Sequence, residues 1–305
     1  MDRIVVVGAG VVGLATGDGF ATHGLDVSFV DISETRVREL RRGGRNASTS
    51  IELDSRDSAI FLVLPTPNVG NAWDLGAIEA ASRSVGNALR DAPGHHTVIV
   101  RSTTPPGTAD GVVRPILEEC SGQRLGDGYR LASNPEFLRA VSAHDDFLNP
   151  WMTVVGSPDT ATRKALRRLY EPFGGEFRAF EDYRSAELIK CAHNLFNATK
   201  ISFWNEMWRV AEHIGIDADE VAETVAISAE GSFSPSYGIR GGTPYGGACL
   251  PKDTRGFLGF GAVTGLDLPL LAATIQVNEM LGEPEPGNVP VPEITAPVLR
   301  ASVAA

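Results

Sequence analysis

Cys249 stands in the run Tyr245-Gly246-Gly247-Ala248-Cys249-Leu250-Pro251-Lys252-Asp253, whose residue types suit covalent chemistry at a carbonyl carbon. The two glycines allow close backbone approach, and Lys252 and Asp253 place a cation and a base or orienting carboxylate near the thiol. A thiol so placed can add to an aldehyde, and oxidation of the resulting thiohemiacetal leaves a thioester for water to hydrolyse. On its own, a lone cysteine is more often a small buried hydrophobe. Lys190 and Asn194 lie four residues apart in a helix-compatible run, so both project from one face and can reach one oxygen. The ammonium can stabilise a developing oxyanion while the amide donates beside it. A solvated lysine next to a polar asparagine fits the same spacing. Glu136, within Asn134-Pro135-Glu136-Phe137-Leu138, is either a carboxylate that handles water or a turn or helix-start residue.

Positioning these groups requires a scaffold, and the first half of the chain spells one. Short β-branched runs at 4–7, 27–30, 60–64, 98–100, 129–132 and 153–155 alternate with helical segments. This is the form of a parallel sheet covered by crossover helices. Gly8-Ala9-Gly10-Val11-Val12-Gly13 follows the first strand and opens a helix, and Asp31 ends the second strand. Gly8 permits the tight turn, Gly10 lets a pyrophosphate approach the backbone, and Gly13 lets helix and strand pack closely. A carboxylate at Asp31 accepts from ribose hydroxyls and repels a 2′-phosphate, so NAD is the expected cofactor rather than NADP. Pro65-Thr66-Pro67 and Ser102-Thr103-Thr104-Pro105 follow the third and fourth strands, where such sheets hold ligands. Either is also readable as a rigid turn, with Thr103 the better site candidate.

The pattern changes near Ser185, where a long helix runs to Ile214, is stopped by Gly215, and is followed by a helix that Asp217 can cap. The expected architecture is α/β: residues 1–184 form a Rossmann-type doubly wound sheet, and 185–281 form a helical dimerisation domain carrying the cysteine. Residues 282–305, rich in proline, read as a disordered tail.

Composition narrows the partners. A formal net charge of −11 argues against broad attraction to nucleic acid or an anionic membrane, so any phosphate is held locally. No apolar stretch is long enough to span a bilayer and no signal peptide is legible, so a cytoplasmic protein is expected. The three cysteines are widely spaced, which suits neither a disulfide framework nor a zinc site. The six histidines, His95 and His96 in a loop among them, read as surface residues with no metal-ligand spacing.

Taken together, the run from Asn134 to Leu138, the Lys190/Asn194 pair and the glycine-rich cysteine segment, in that order behind a dinucleotide fingerprint, resemble the UDP-glucose/GDP-mannose dehydrogenase family over about residues 1–275. The resemblance implies that Cys249 is the nucleophile, that Lys190 and Asn194 hold the oxyanion, and that Asp253 assists with protons or orientation. It further implies that Glu136 positions or activates water, that Thr103 lies near the reactive carbon, and that two subunits pair through the 185–214 helix. The chain departs from the family in four places. Arg42-Gly43-Gly44-Arg45 leads quickly to Ile60, Ser232-Phe233-Ser234-Pro235 stands where relatives carry Arg-Ile-Gly, and Pro150-Trp151-Met152 replaces Pro-Asp-Arg. The residues after Leu281 leave no room for the third, nucleotide-gripping domain. The expectation is therefore a four-electron, NAD-dependent oxidation of a primary alcohol to a carboxylate on a nucleotide or nucleotide sugar, a nucleoside monophosphate being one candidate. A two-electron β-hydroxyacid-type dehydrogenase would not need the cysteine. A non-catalytic NAD-binding remnant would not need Glu136, Lys190, Asn194, Cys249 and Asp253 together.

Overall fold

Strand β1 (Arg3–Val7) is an Ile-Val-Val-Val run buried along its length, as a central parallel strand must be when both faces are covered. A computed structural model describes residues 1, 3–69, 72–228, 244–247 and 250–282. Around β1 the sheet is completed by β2 (Asp26–Val30), β3 (Asn46–Ser48), β4 (Ser58–Leu62), β7 (His96–Val100), β8 (Tyr129–Ser133), β9 (Met152–Gly156) and β10 (Glu176–Phe180). A two-stranded ribbon of β5 (Asn68–Val69) and β6 (Ala72–Trp73) stands apart. The order is β10-β9-β8-β7-β4-β1-β2-β3. Pairing is parallel except between β8 and β9. The chain passes from β1 outward to β2 and then back across to β4, so a crevice opens beyond the carboxyl ends of β1 and β4, the usual ligand position of such sheets.

Side chains alternate across the pleat. Ile4, Val6, Phe61 and Ile99 enter one layer with Phe20, Phe147, Tyr170 and Phe173; Val5, Val7, Ile60, Leu62 and Val98 enter the other with Ile78, Val85 and Leu117. The layers are closed by α1 (Val11–Thr22), α2 (Glu34–Arg42), α3 (Gly76–Leu89), α4 (Arg114–Ser121), α5 (Ala143–Leu148) and α6 (Thr160–Tyr170). All six expected strands form within two residues of their expected ends. β3 and β10 were not expected: the first is a three-residue edge strand, and the second is a largely exposed one whose alternation is blurred by Arg178 and Ala179.

One expectation is corrected. His96 is not on the surface; it opens β7 at 1% exposure, its Nε2 lies 3.2 Å from the Pro93 carbonyl, and burial pushes its pKa down. The strand starts earlier than the Gly94-His95 loop signal suggested, and the register turns this ring inward.

Helix α7 (Tyr183–Ile214) matches the expected long helix. Asp182 starts it by accepting from the Ser185 amide at 2.7 Å and hydroxyl at 2.8 Å, which holds its carboxyl below the usual range. Gly215 stops it with φ at 72°. Asp217 then caps α8 (Ala218–Ser228), accepting from the amides of Asp219 (2.8 Å) and Glu220 (3.2 Å). Further along the chain come α9 (Leu250–Thr264) and α10 (Pro269–Glu279). Glu206 of α7 is 5% exposed and accepts from the amides of Leu270 and Leu271 at the start of α10. The chain divides into a unit of Met1–Leu195 and a second from Phe196 onward. The expected tail at 282–305, Gly282 apart, and the 232–235 departure lie outside the described residues. Among the described residues no helix is long and apolar enough to cross a membrane, and no group of side chains could hold a metal ion.

Candidate functional site

The glycine-rich turn is built as its mechanism requires. Gly8 sits at φ 99°, and a Cβ there would overlap the Val63 carbonyl oxygen; a Cβ on Gly13 would overlap the carbonyl of Gly8. Gly10 differs: a Cβ there meets nothing within 4 Å. That open space lies at the mouth of α1, where Val11 and Val12 are the first helical residues and the amides lack intrahelical partners. Asp31 accepts from the Ala9 amide at 3.0 Å with one oxygen and from the Ser33 amide at 2.9 Å with the other. Its carboxylate is thus fixed at the rim of the turn with lone pairs to spare for a ribose diol. An open cradle before a helix N-terminus, with a pinned carboxylate beside it, fits a dinucleotide. Arg36 was not anticipated: its Nε donates to the Ala9 carbonyl at 3.0 Å, so the Ala9 peptide is gripped at both ends.

The loops after β4 and β7 are tied to each other. The Ser102 hydroxyl accepts from the Leu64 amide at 2.7 Å and donates to the Leu62 carbonyl at 3.3 Å, while the Thr66 hydroxyl donates to the Thr103 carbonyl at 2.7 Å. Ser102 and Thr66 thus spend their hydroxyls on the scaffold, Pro65 is exposed, and the Thr103 side chain is half-buried. The next residue, Thr104, is 2% exposed, and its Oγ1 has no partner among the described residues.

Beyond β8 the 134–138 loop brings Glu136 to α7. Glu136 Oε1 lies 3.3 Å from Lys190 Nζ, with side-chain exposures of 14% and 7%, and its Oε2 accepts from the Leu138 amide at 2.5 Å. The Lys190 ammonium also stands 5.3 Å from the centre of the Phe137 ring. Phe137, Trp151 and His193 pack against one another with ring centres 5.2 to 5.6 Å apart. Burial, then Lys190, pushes the His193 pKa down, so its ring is neutral at pH 7. Asn194 is exposed one turn beyond Lys190. A turn before it, Glu187, 1% exposed, accepts from the amides of Gly107 (2.5 Å) and Ala109 (2.8 Å) and so fastens the segment after Thr103 to α7. Burial pushes Glu187 up, against the pull of those amides. Cys191 donates to the Thr104 carbonyl at 3.4 Å, and burial raises its pKa, which leaves it a thiol.

Sequence reasoning named Glu136 and Lys190 separately, and the fold pairs them. The aromatic trio and Glu187 were missed, for their partners are remote in the chain. Ala248 and Cys249 lie outside the described residues. Asp253, in the first turn of α9, is exposed and pairs with Lys252 Nζ at 2.5 Å. A buried lysine beside a carboxylate can donate to an incoming oxyanion while the released carboxylate takes a proton from water.

The chain matches the UDP-glucose/GDP-mannose dehydrogenase family in its NAD binding domain, over residues 2–53 and 44–174, and in its central domain, over residues 184–280. It is 35% identical to a GDP-mannose 6-dehydrogenase of Pseudomonas syringae pv. tomato, covering 90% of this chain and 68% of that protein. It is 34% identical to a UDP-glucose 6-dehydrogenase of Haloferax volcanii, covering 93% of this chain and 70% of that protein. The crystal structure of a ternary complex of GDP-mannose dehydrogenase from Pseudomonas aeruginosa superposes with a TM-score of 0.84 at 30% identity, over 92% of this chain and 69% of that one. With its open glycine cradle and pinned Asp31, the chain belongs to the UDP-glucose/GDP-mannose dehydrogenase family and is an NAD-dependent oxidoreductase.

Proposed function

We propose that the chain oxidises the primary alcohol of a nucleotide-linked hexose to a carboxylate in two successive steps, with Cys249 as covalent nucleophile. The observation that carries this reading is the Glu136–Lys190 pair, formed where the loop after β8 meets α7 and largely withdrawn from solvent. When bound, NAD accepts a hydride in each oxidation. Gly8, Gly10, Gly13, the amides at Val11 and Val12, and Asp31 would hold it, with Pro65, Thr66, Ser102 and Thr103 along its path.

The protein's own groups do the rest. Lys190, with Asn194 beside it, holds the substrate oxygen as it develops negative charge. The Cys249 thiolate adds to the aldehyde carbon, forming a C–S bond and an alkoxide. The second oxidation leaves a thioester. Glu136 takes a proton from water as the water attacks the thioester carbon; the C–S bond then breaks and the thiolate leaves. Asp253 orients or shuttles protons near the thiol, and Thr103 lies near the reacting carbon. Each carboxylate formed accounts for two NADH and consumes one water.

Incubation with NAD and, in turn, GDP-mannose, UDP-glucose and nucleoside monophosphates tests this by NADH count and product mass. Two NADH per carboxylate from a nucleotide sugar is the expected result, whereas one NADH with an aldehyde or ketone product rules the thioester route out. The same reading includes a homodimer formed through α7. Phe196, Ile201, Phe203 and Trp208 of that helix are 42 to 68% exposed, an apolar surface that suits a second copy. A light-scattering mass near 32.4 kDa, that of one chain, would contradict it.

A further inference from the structure

Arg101, directly after β7, is 4% exposed, yet no carboxylate among the described residues pairs with it. Its Nε donates to Thr16 Oγ1 at 3.0 Å, one terminal nitrogen donates to Asn134 Oδ1 at 2.8 Å and Tyr170 OH at 3.1 Å, and the guanidinium stands 5.4 Å from the Phe147 ring centre. Asp146 lines a small cavity together with Arg101, but it is taken by Arg139 at 2.6 and 3.0 Å. Burying a cation among neutral acceptors is unfavourable, and an apolar side chain of equal volume is commonly the more stable choice. Core packing alone therefore does not account for an arginine here.

The partners indicate what it does instead. Asn134 has every polar atom engaged: its amide donates to the Val100 carbonyl at 2.8 Å, its Nδ2 donates to the Val154 carbonyl at 2.7 Å, and its Oδ1 accepts from Arg101 and from Tyr170 OH at 2.6 Å. Two residues later the same loop delivers Glu136 to Lys190. At its other end Arg101 reaches Thr16, whose hydroxyl donates to the Val12 carbonyl at 2.8 Å in the first turn of α1. A single guanidinium thus joins the helix behind the glycine cradle to the loop that carries Glu136.

We propose that Arg101 is a positioning residue: through Asn134 it fixes the 134–138 loop so that Glu136 meets Lys190 in the geometry turnover requires. The inference rests on the role given to Glu136 above. A planar donor fork can hold Thr16, Asn134 and Tyr170 at once, which neither a lysine nor an apolar residue can do. Arg101→Met keeps the fold, with a Tm within about 3 °C of the parent, and lowers kcat by about 10²-fold through misplacement of Glu136 while KM changes little. Arg101→Lys recovers part of that loss. In the protein without cofactor, the amides of Asn134 and Leu138 exchange hydrogen faster in Arg101→Met, while those of β1 and β4 do not.

The deciding measurement is a double-mutant cycle with Glu136→Gln. If Arg101 acts through Glu136, Arg101→Met costs less than about threefold in the Glu136→Gln background. An equal loss in both backgrounds, or full kcat in a folded Arg101→Met, overturns the inference and leaves the role of Glu136 standing. A Glu136→Gln variant with full turnover removes that role and the inference with it. Should Arg101→Met fail to fold, Tyr170→Phe takes its place in the cycle: it removes one donor to Asn134 Oδ1 without touching the charge, and a loss that vanishes with Glu136→Gln supports the proposal, whereas one that persists overturns it.

Discussion

The sheet unit and the helical unit treat their large apolar side chains in opposite ways. The largest fully buried side chains, Tyr129, Phe20, Phe61, Ile4, Ile60 and Leu62 among them, all belong to Met1–Leu195. From Phe196 onward the buried apolar residues described are Val210, Ala211, Leu268 and Ile275, while Phe196, Trp208, Ile227, Phe257 and Val277 remain at least one-third exposed. Burying a Phe or Ile side chain stabilises by about 1.5 to 3 kcal/mol, against a backbone ordering cost of about 1 to 2 kcal/mol per residue. The first unit has the burial to offset that cost within itself. The second leaves much of its apolar surface uncovered, as half of a shared core would, which is the physical support for the proposed dimer. The difference teaches a division of labour: a self-sufficient sheet that binds the cofactor, and a helical unit that carries the cysteine.

The strongest attempt to break that division is Cys249→Ser. It is expected to remove carboxylate formation by on the order of 10³-fold or more, with NAD affinity unchanged in a fluorescence titration. Loss of NAD binding in that variant would show that the two functions are not separate. Gly8→Ala probes the other side. The added methyl must displace the Val63 carbonyl while the residue keeps a positive φ, so unfolding should come about 3 kcal/mol easier and NAD binding should be lost. A variant that binds NAD and melts like the parent would mean the turn tolerates another shape.

How far these features were legible in the sequence follows from how local they are. β1 announces itself because a strand buried on both faces must be apolar at every position. β3, Asn46-Ala47-Ser48, has no such signature and exists because it pairs with β2 at Ser28, Phe29 and Val30. In the site, the glycine turn and Asp31 are separated by one helix and one short strand and could be read directly. Glu136 and Lys190 come from distant segments; the sequence named each separately, and only the fold joins them. Nothing in spacing could link Arg101 to Thr16, Asn134 and Tyr170, since these lie on four different elements. His96 was misread for a related reason: a Pro-Gly-His-His run marks a turn but not the residue at which it ends.

Glu187 offers a subtler test because burial disfavours its charge while two amides favour it. A carboxylate whose pKa rises on folding contributes stability that is fully present below its unfolded pKa and is lost as pH rises through the folded value. Glu187→Gln keeps one acceptor for the Gly107 and Ala109 amides and carries no charge to desolvate. The stability of the parent relative to Glu187→Gln should therefore decline as pH rises from about 4.5, as read from melting curves at a series of pH values. A difference that grows in favour of the parent over that interval would show that the two amide donors outweigh burial.

The smallest expected effects compare the units most directly, because both contain a helix started by an aspartate. Asp159 accepts from the amides of Ala161 and Thr162, both at 3.0 Å, at the head of α6, and Asp217 accepts from those of Asp219 and Glu220 at the head of α8. Truncating either to alanine removes a side-chain cap, a loss of about 1 kcal/mol. If both units melt in one cooperative transition, Asp159→Ala and Asp217→Ala lower the same Tm by similar amounts. If the helical unit draws its stability from a second chain, Asp217→Ala acts more strongly at low protein concentration, where mass action favours separated chains, while Asp159→Ala is indifferent to dilution. Calorimetry of both variants at two concentrations separates these outcomes, and equal, concentration-independent shifts would mean that the helical unit holds together without a partner.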